Sequence, residues 1–240
     1  MSKPILFCRR DIHREIRGIA EIYDSIAEKY ESWRTKPWKI SLIAKGSVIL
    51  DLGSGPCENG LYIAERSNSY IICLDISLKM ISIAKEKILR KKIFGDVIVA
   101  NMLYIPLRNN SIDTILAVAS IHHIPLYALR KTLRESIRIL RRRGLFIATV
   151  WSWRQRRFLA KTFWNLIKTL LGLLDYPRRY VVPWRSREKI YERIYYLYDE
   201  KELRRHLSKI RGVKILSMGY VGSYRENIGL NLYFVATKTD

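Results

Sequence analysis

Residues Val48-Ile49-Leu50-Asp51-Leu52 form an apolar run too short for a helix, and it breaks directly into Gly53-Ser54-Gly55-Pro56. A buried strand that delivers the chain to a glycine turn and then to a helix opens an α/β unit. The alternation continues. Ser47–Leu52, Tyr70–Leu74, Asp96–Ala100, Ile112–Val118 and Leu145–Val150 read as strands. Arg10–Tyr30, Gly60–Arg66, the segment from a Ser77 cap through Leu89, and Leu126–Leu140 read as helices. Arg141-Arg142-Arg143-Gly144 is expected to end the last of these with cations at the negative helix end and then a glycine cap.

Five strands alternating with helices predict a parallel, doubly wound sheet. Val213–Gly219 and Leu230–Ala236 supply a closing strand pair after a helix over Asp199–Lys209. The expected fold is therefore α/β and Rossmann-like: seven strands, mostly parallel, helices on both faces, and a helical insertion after the fifth strand. At 240 residues the chain suits one domain. Within it, 1–45 forms an N-terminal helical lid and 46–151 the cofactor-binding core. Residues 152–198 form a basic and aromatic substrate-binding insertion, and 199–240 the closing helix and strand pair.

The chain carries 44 Lys+Arg against 22 Asp+Glu, a formal net charge of +22. Such an excess repels itself unless it faces a polyanion or an anionic surface; nucleic acid is the first candidate and an anionic membrane face the second. Residues 151–200 interleave basic side chains with twelve aromatics. Single-stranded RNA is gripped by that pairing of stacking and phosphate contacts. Three scattered cysteines, Cys8, Cys57 and Cys73, give no metal-ligand spacing, argue against a disulfide framework and suit a reducing cytoplasm. No apolar run is long enough for a transmembrane helix, and no signal peptide is expected at Met1–Arg10.

The glycine turn carries the cofactor chemistry. Gly53 and Gly55 let backbone approach a ligand where a side chain would clash. Ser54 lies between them. Asp51 can hold an amino-acid moiety, and Asp75, ending the second strand, can accept from two ribose hydroxyls. Asn101 and Met102 follow the third strand, where an adenine would lie. Ile76 and Ala117 complete the set. The spacing GxGPxxxG differs from the GxGxxG of dinucleotide sites.

Asp51-Leu52-Gly53-Ser54-Gly55, Leu74-Asp75-Ile76-Ser77, Pro106-Leu107 with Ser111-Ile112-Asp113, and Leu140 with Gly144 resemble the class I S-adenosylmethionine-dependent methyltransferases. A narrower likeness is carried by Tyr23-Asp24-Ser25-Ile26-Ala27, Arg34-Thr35-Lys36-Pro37-Trp38, Ile121-His122-His123, Val150-Trp151, Val182-Pro183-Trp184, Tyr195 to Leu203 and Arg225-Glu226-Asn227. In this order these are similar to the tRNA wobble-uridine carboxymethyl methyltransferases. The chain departs from that pattern at Ser54, where the family has Cys, at Pro56-Cys57, and at Asn101, where it has Asp.

The resemblance implies methyl transfer from S-adenosylmethionine to the carboxylate of 5-carboxymethyluridine in a tRNA anticodon stem-loop, with no role for DNA. It implies a small zinc-binding activator that adds a strand at Asp96–Ala100. On this reading His122, Arg34 and Trp151 are the candidate catalytic residues, and Lys36, His123, Arg154 and Arg185 bind the acceptor. Arg187 and neighbouring arginines join them. No metal ligand is expected in the chain itself. Two other readings stay open. Phe158, Leu159, Phe163, Trp164, Ile167, Leu170 and Leu171 form an apolar stripe that packs on the domain or faces lipid, the latter suiting a small-molecule or quinone methyltransferase. A non-catalytic RNA-binding protein is the third.

Overall fold

A computed structural model describes residues 9–33, 36–174, 176–185, 189–222 and 230–240. Cys8, Arg34, Arg187 and the Arg225-Glu226-Asn227 motif lie outside them. A seven-stranded sheet runs in the order β3 (Gly95–Val99), β2 (Tyr70–Asp75), β1 (Val48–Leu52), β4 (Ile112–Val118), β5 (Leu140–Trp151), β9 (Leu230–Lys238) and β8 (Val213–Gly222). The first five pair in parallel, and β9 is antiparallel to both β5 and β8. The expected Rossmann-like α/β fold is the one observed.

Central strands are apolar on both faces because helices cover both. Leu50, Leu52, Ile115 and Phe146 pack on one side, against helix α4 (Leu126–Ile139) and helix α6 (Glu200–Ser208). Ile49, Ile71, Leu116 and Ile147 face helix α2 (Glu58–Ala64) and helix α3 (Leu78–Lys91). Ser77 caps α3 as expected, its Oγ accepting from the Met80 amide at 3.1 Å. The same hydroxyl donates to Asp24 of helix α1 (Arg9–Trp33) at 2.6 Å, which fixes α1 against α3.

Three expectations are corrected. The first concerns Gly144, which is not a helix cap. Helix α4 ends at Ile139 and Leu140 already pairs with Ile112, so the arginine run belongs to β5, with Arg143 at φ 62°. Glycine is required at 144 because a Cβ there would stand 2.4 Å from Leu140 Cδ2 and 2.9 Å from the carbonyl oxygens of Arg141 and Asp113.

The second is the insertion, which is helical only in its first part. Helix α5 (Arg156–Leu170) is followed by an antiparallel hairpin of β6 (Arg179–Arg185) and β7 (Ile190–Tyr196). Tyr180 and Val182 are buried with Tyr195, Leu197 and Phe158. Alternating β-branched and aromatic residues prefer a pleated, half-buried strand.

The third is Cys57 and Cys73, which form a disulfide. Cys57, at φ 63°, precedes α2 directly over the buried Cys73 of β2, with the Cα atoms 5.9 Å apart. Cysteine count alone does not reveal a pair made by stacking a turn on the neighbouring strand, so the inference to a reducing compartment loses its support. Among the described residues no helix is long and apolar enough to cross a membrane.

Candidate active site

A cleft opens over the C-terminal ends of β1, β2, β3 and β4 and is roofed by Ile16, Ile19, Tyr23 and Tyr30 of α1. Ligands of doubly wound sheets bind at this edge, where the strand order reverses. Gly53, Ser54, Gly55, Asp75, Ile76, Asn101 and Met102 all line it.

The floor is built by backbone. The amides of Gly53 and Ser54 both donate to the Leu74 carbonyl, at 2.7 and 3.0 Å, which pins the glycine turn to the end of β2. Gly53 sits at φ +68° and Gly55 at φ +53°, in the left-handed region. The Asp75 carboxylate accepts from the Gly55 amide at 2.8 Å and the Ser77 amide at 3.0 Å. Burial pushes this carboxyl above the ordinary carboxylate range, and the amides of Ser77, Gly55 and Ile76 partly restore it. Each oxygen keeps lone-pair capacity for a further donor.

Two expected cofactor residues stand behind the wall. Asp51 is 1 % exposed, and its Oδ2 accepts from the Gly60 amide at 2.9 Å, anchoring α2 over the strand end. Ala117 is buried within the sheet, and the wall there is Val118, Ala119 and Ser120. The Asn101 Oδ1 accepts from the Leu103 amide at 2.9 Å and shapes the turn that presents Met102.

The two histidines separate. His123 lines the cleft, whereas His122 is 1 % exposed and packs on the insertion, its ring stacked 5.6 Å from Trp151 and tilted 4.5 Å from Tyr195. His123 Nδ1 lies 3.3 Å from the Ile194 carbonyl, so it carries the proton. Nε2 therefore accepts from the Tyr23 hydroxyl at 2.8 Å. Burial, aided by the neighbouring Arg193 charge, lowers the His123 pKa to about 3.

A neutral, buried histidine links folding to protons. Its folded pKa lies below the unfolded value near 6.5, so its contribution is complete above pH 6.5 and is lost as pH falls toward about 3. The slope is at most ~1.4 kcal/mol per pH unit. Urea midpoints at pH 7.5 and 5.0 should therefore differ more for the wild-type chain than for His123→Gln. Equal differences would show that His123 carries a proton in the fold.

The remaining expected acceptor residues are spread out. Trp151 packs on Phe158, with Arg157 over its ring at 4.2 Å. Lys36, Arg154 and Arg185 are exposed, after α1, before α5 and at the end of β6. Several groups on or beside the cleft were not anticipated: Tyr30, Asn59, Ser120 and, beside Tyr23, the buried Arg193. Period-two alternation would have flagged Arg193, because Tyr191, Arg193 and Tyr195 share one face of β7.

The cleft suits a nucleoside with an amino-acid tail. A buried carboxylate stands at the end of β2, an open glycine turn beside it, and a methionine and an asparagine across from it. Residues 50–148 match a family described as a methyltransferase domain. Residues 50–148 form a methyltransferase domain. A SAM-dependent methyltransferase from Methanosarcina mazei shares its fold, with TM-score 0.70 and 17 % identity over 85 % of this chain and 99 % of that one.

The tRNA (carboxymethyluridine(34)-5-O)-methyltransferase of Arabidopsis thaliana is 30 % identical over 157 residues, 63 % of this chain and 37 % of that protein. Its namesake from Schizosaccharomyces pombe is 26 % identical over 226 residues, 88 % of this chain and 94 % of that protein. The chain thus spans little more than a third of the plant relative. The residues of the cleft fit S-adenosylmethionine. Asp75 would receive its ribose, the 53–55 turn its amino-acid end, and Met102 its adenine.

Proposed function

We propose that the protein methylates the carboxylate of 5-carboxymethyluridine at the wobble position of tRNA. The observation that carries this reading is the acceptor side of the methyltransferase cleft, which among the described residues offers no free base. His123 is held neutral with both ring nitrogens engaged, and burial drives the Tyr23 hydroxyl well above its ordinary pKa. Hydroxyl and amine acceptors need a proton removed; a carboxylate is already ionised at neutral pH and does not.

S-adenosylmethionine, when bound, supplies an electrophilic methyl group on its sulfonium. The residues of the chain then need only align the acceptor and keep water out, and proximity of this kind is worth roughly 7–11 kcal/mol. Tyr23, Tyr30 and Ile19 of α1 close the cleft from above. The relatives' names and the net charge of +22 support an RNA substrate. The exposed Arg154 and Arg185 extend the basic surface across the insertion.

A strand-adding activator belongs to the same proposal. Strand β3 forms one edge of the sheet, with Phe94 just before it 73 % exposed and Val99 48 % exposed. Unprotected edges of this kind accept a further strand.

One observation favours a second reading. Phe163, Trp164, Leu166 and Leu170 of α5 are all exposed, a face that suits a lipid-borne or small apolar acceptor. Nucleoside mass spectrometry separates the two. The protein, with and without a small zinc-binding partner, is incubated with S-adenosylmethionine and carboxymethyl-bearing tRNA. A gain of one methyl on the wobble nucleoside is expected. Methylation elsewhere, or none despite measured cofactor binding, would overturn the proposal.

A further inference from the structure

Two basic side chains are buried to the same degree, Lys87 and Arg193, each 7 % exposed. Lys87 meets two carboxylates, Glu31 at 2.9 Å and Glu58. Arg193 has no ion pair among the described residues, and its Nε has no hydrogen-bond partner. Its guanidinium lies 5.0 Å from the Trp184 ring centroid and 5.3 Å from that of Tyr195, beside the Tyr23 hydroxyl. Arginine stays protonated in proteins. An uncompensated buried charge is among the most unfavourable features a fold can retain.

The position of that charge is informative. Tyr23, which it touches, and His123 and Tyr30, which feel its field, are walls of the cleft on the acceptor side. We propose that Arg193 is the receptor for the acceptor's carboxylate, held between the Trp184 and Tyr195 rings. This rests on the carboxylate-methylating reading above. A planar guanidinium fork binds a carboxylate through two parallel N–H···O bonds, and the aromatic faces keep the cation in place until the anion arrives.

The chemistry follows from that placement. A carboxylate oxygen forms the new bond to the methyl carbon as the carbon–sulfur bond breaks, and the electron pair of that bond stays on sulfur. No proton moves. The product ester is neutral, so the attraction that seats the substrate vanishes on reaction and Arg193 is again without a counter-ion. Substrate is thereby preferred over product without any conformational switch.

Arg193→Met and Arg193→Lys test the idea, each read in three ways: thermal melting, S-adenosylhomocysteine affinity, and kinetics on carboxymethyl-bearing tRNA. Both variants should keep the cofactor affinity. Arg193→Met should melt no lower than wild type, since it removes an unpaired charge. Its kcat/KM should fall about 100-fold or more, within the range for losing one partner of a buried charge pair. Lysine should restore part of that loss.

A direct probe is free 5-carboxymethyluridine against its carbamoylmethyl analogue, both added with S-adenosylhomocysteine and followed by the Arg193 Nε–H nuclear resonance. Only the carboxylate should shift it. A wild-type chain that esterifies the tRNA while Arg193→Met does so unimpaired overturns the role of Arg193 and spares the function. A chain that transfers no methyl to this tRNA but shows the carboxylate-specific shift overturns the function and spares the subsite. A lower melting temperature of Arg193→Met with no carboxylate shift in wild type would make Arg193 structural only.

Discussion

Asp75→Ala should bind S-adenosylhomocysteine about 100-fold to 10,000-fold more weakly than the wild-type chain. The carboxylate stands at the cleft wall with lone pairs free beyond those given to Gly55 and Ser77. Two ribose hydroxyls donating to it would contribute roughly 1.5–3 kcal/mol each, since the acceptor is charged and sheltered from water. Asp75→Asn keeps an acceptor for the Gly55 amide but loses the charge, so its affinity should fall between the two. Isothermal titration measures all three, with circular dichroism to show that each is folded. An alanine variant within threefold of wild type would remove Asp75 from the cofactor site.

Gly53→Ala should lower the melting temperature by about 4–20 °C, and Gly55→Ala by markedly less. Both positions adopt left-handed backbone, φ +68° and φ +53°, which costs a residue with a Cβ about 1–2 kcal/mol. Only at Gly53 is the space also taken. A Cβ there would stand 2.5 Å from Ser120 Cβ and 3.1 Å from Met102 Cε, whereas at Gly55 the nearest atom is Tyr30 Cε1 at 3.6 Å. Overpacking adds about 1–3 kcal/mol, and in a chain of this size each kcal/mol shifts melting by about 2–4 °C. Ser120 cannot yield easily, because its hydroxyl is bonded to the Leu52 carbonyl at 2.8 Å. Equal losses at the two glycines would mean that backbone strain alone governs the turn.

The parallel strands were legible because the central ones are buried on both faces and so read as short apolar runs, and the edge strand β3 keeps an apolar run of its own. The β4 segment, Ile112–Val118, has the bounds that its composition indicates. The cofactor wall was legible for a related reason: glycines and a strand-ending aspartate have few other uses in that position. The hairpin escaped because residues 152–198 draw attention by composition, and their alternation is visible only strand by strand.

The sequence reading puts His122 ahead of His123 for catalysis, but nothing in two adjacent residues tells which one reaches the cleft. They sit in a short 3-10 turn, Ile121–His123, with their rings 4.7 Å apart and both against Tyr195, and only His123 reaches the cleft. Arg193 was hidden differently, among many arginines taken as surface charge. Its inward place follows from the period-two face of β7, but its lack of a counter-ion among the described residues is a property of the folded surroundings.

The β6–β7 hairpin shares no ladder with the seven-stranded sheet. It is fastened instead by side chains: Tyr198 to the Ile124 carbonyl, Tyr196 to Glu15 at 2.5 Å, and Arg178 to Asp199 and Glu202 at the start of α6. Loop length, rung number and the outward residues of this appendage can therefore drift without disturbing the register of the main sheet or the geometry around Asp75. On the proposed function, acceptor preference can therefore vary separately from methyl-donor binding. The one core can be refitted to new acceptors by grafting a different appendage onto the same few anchor points.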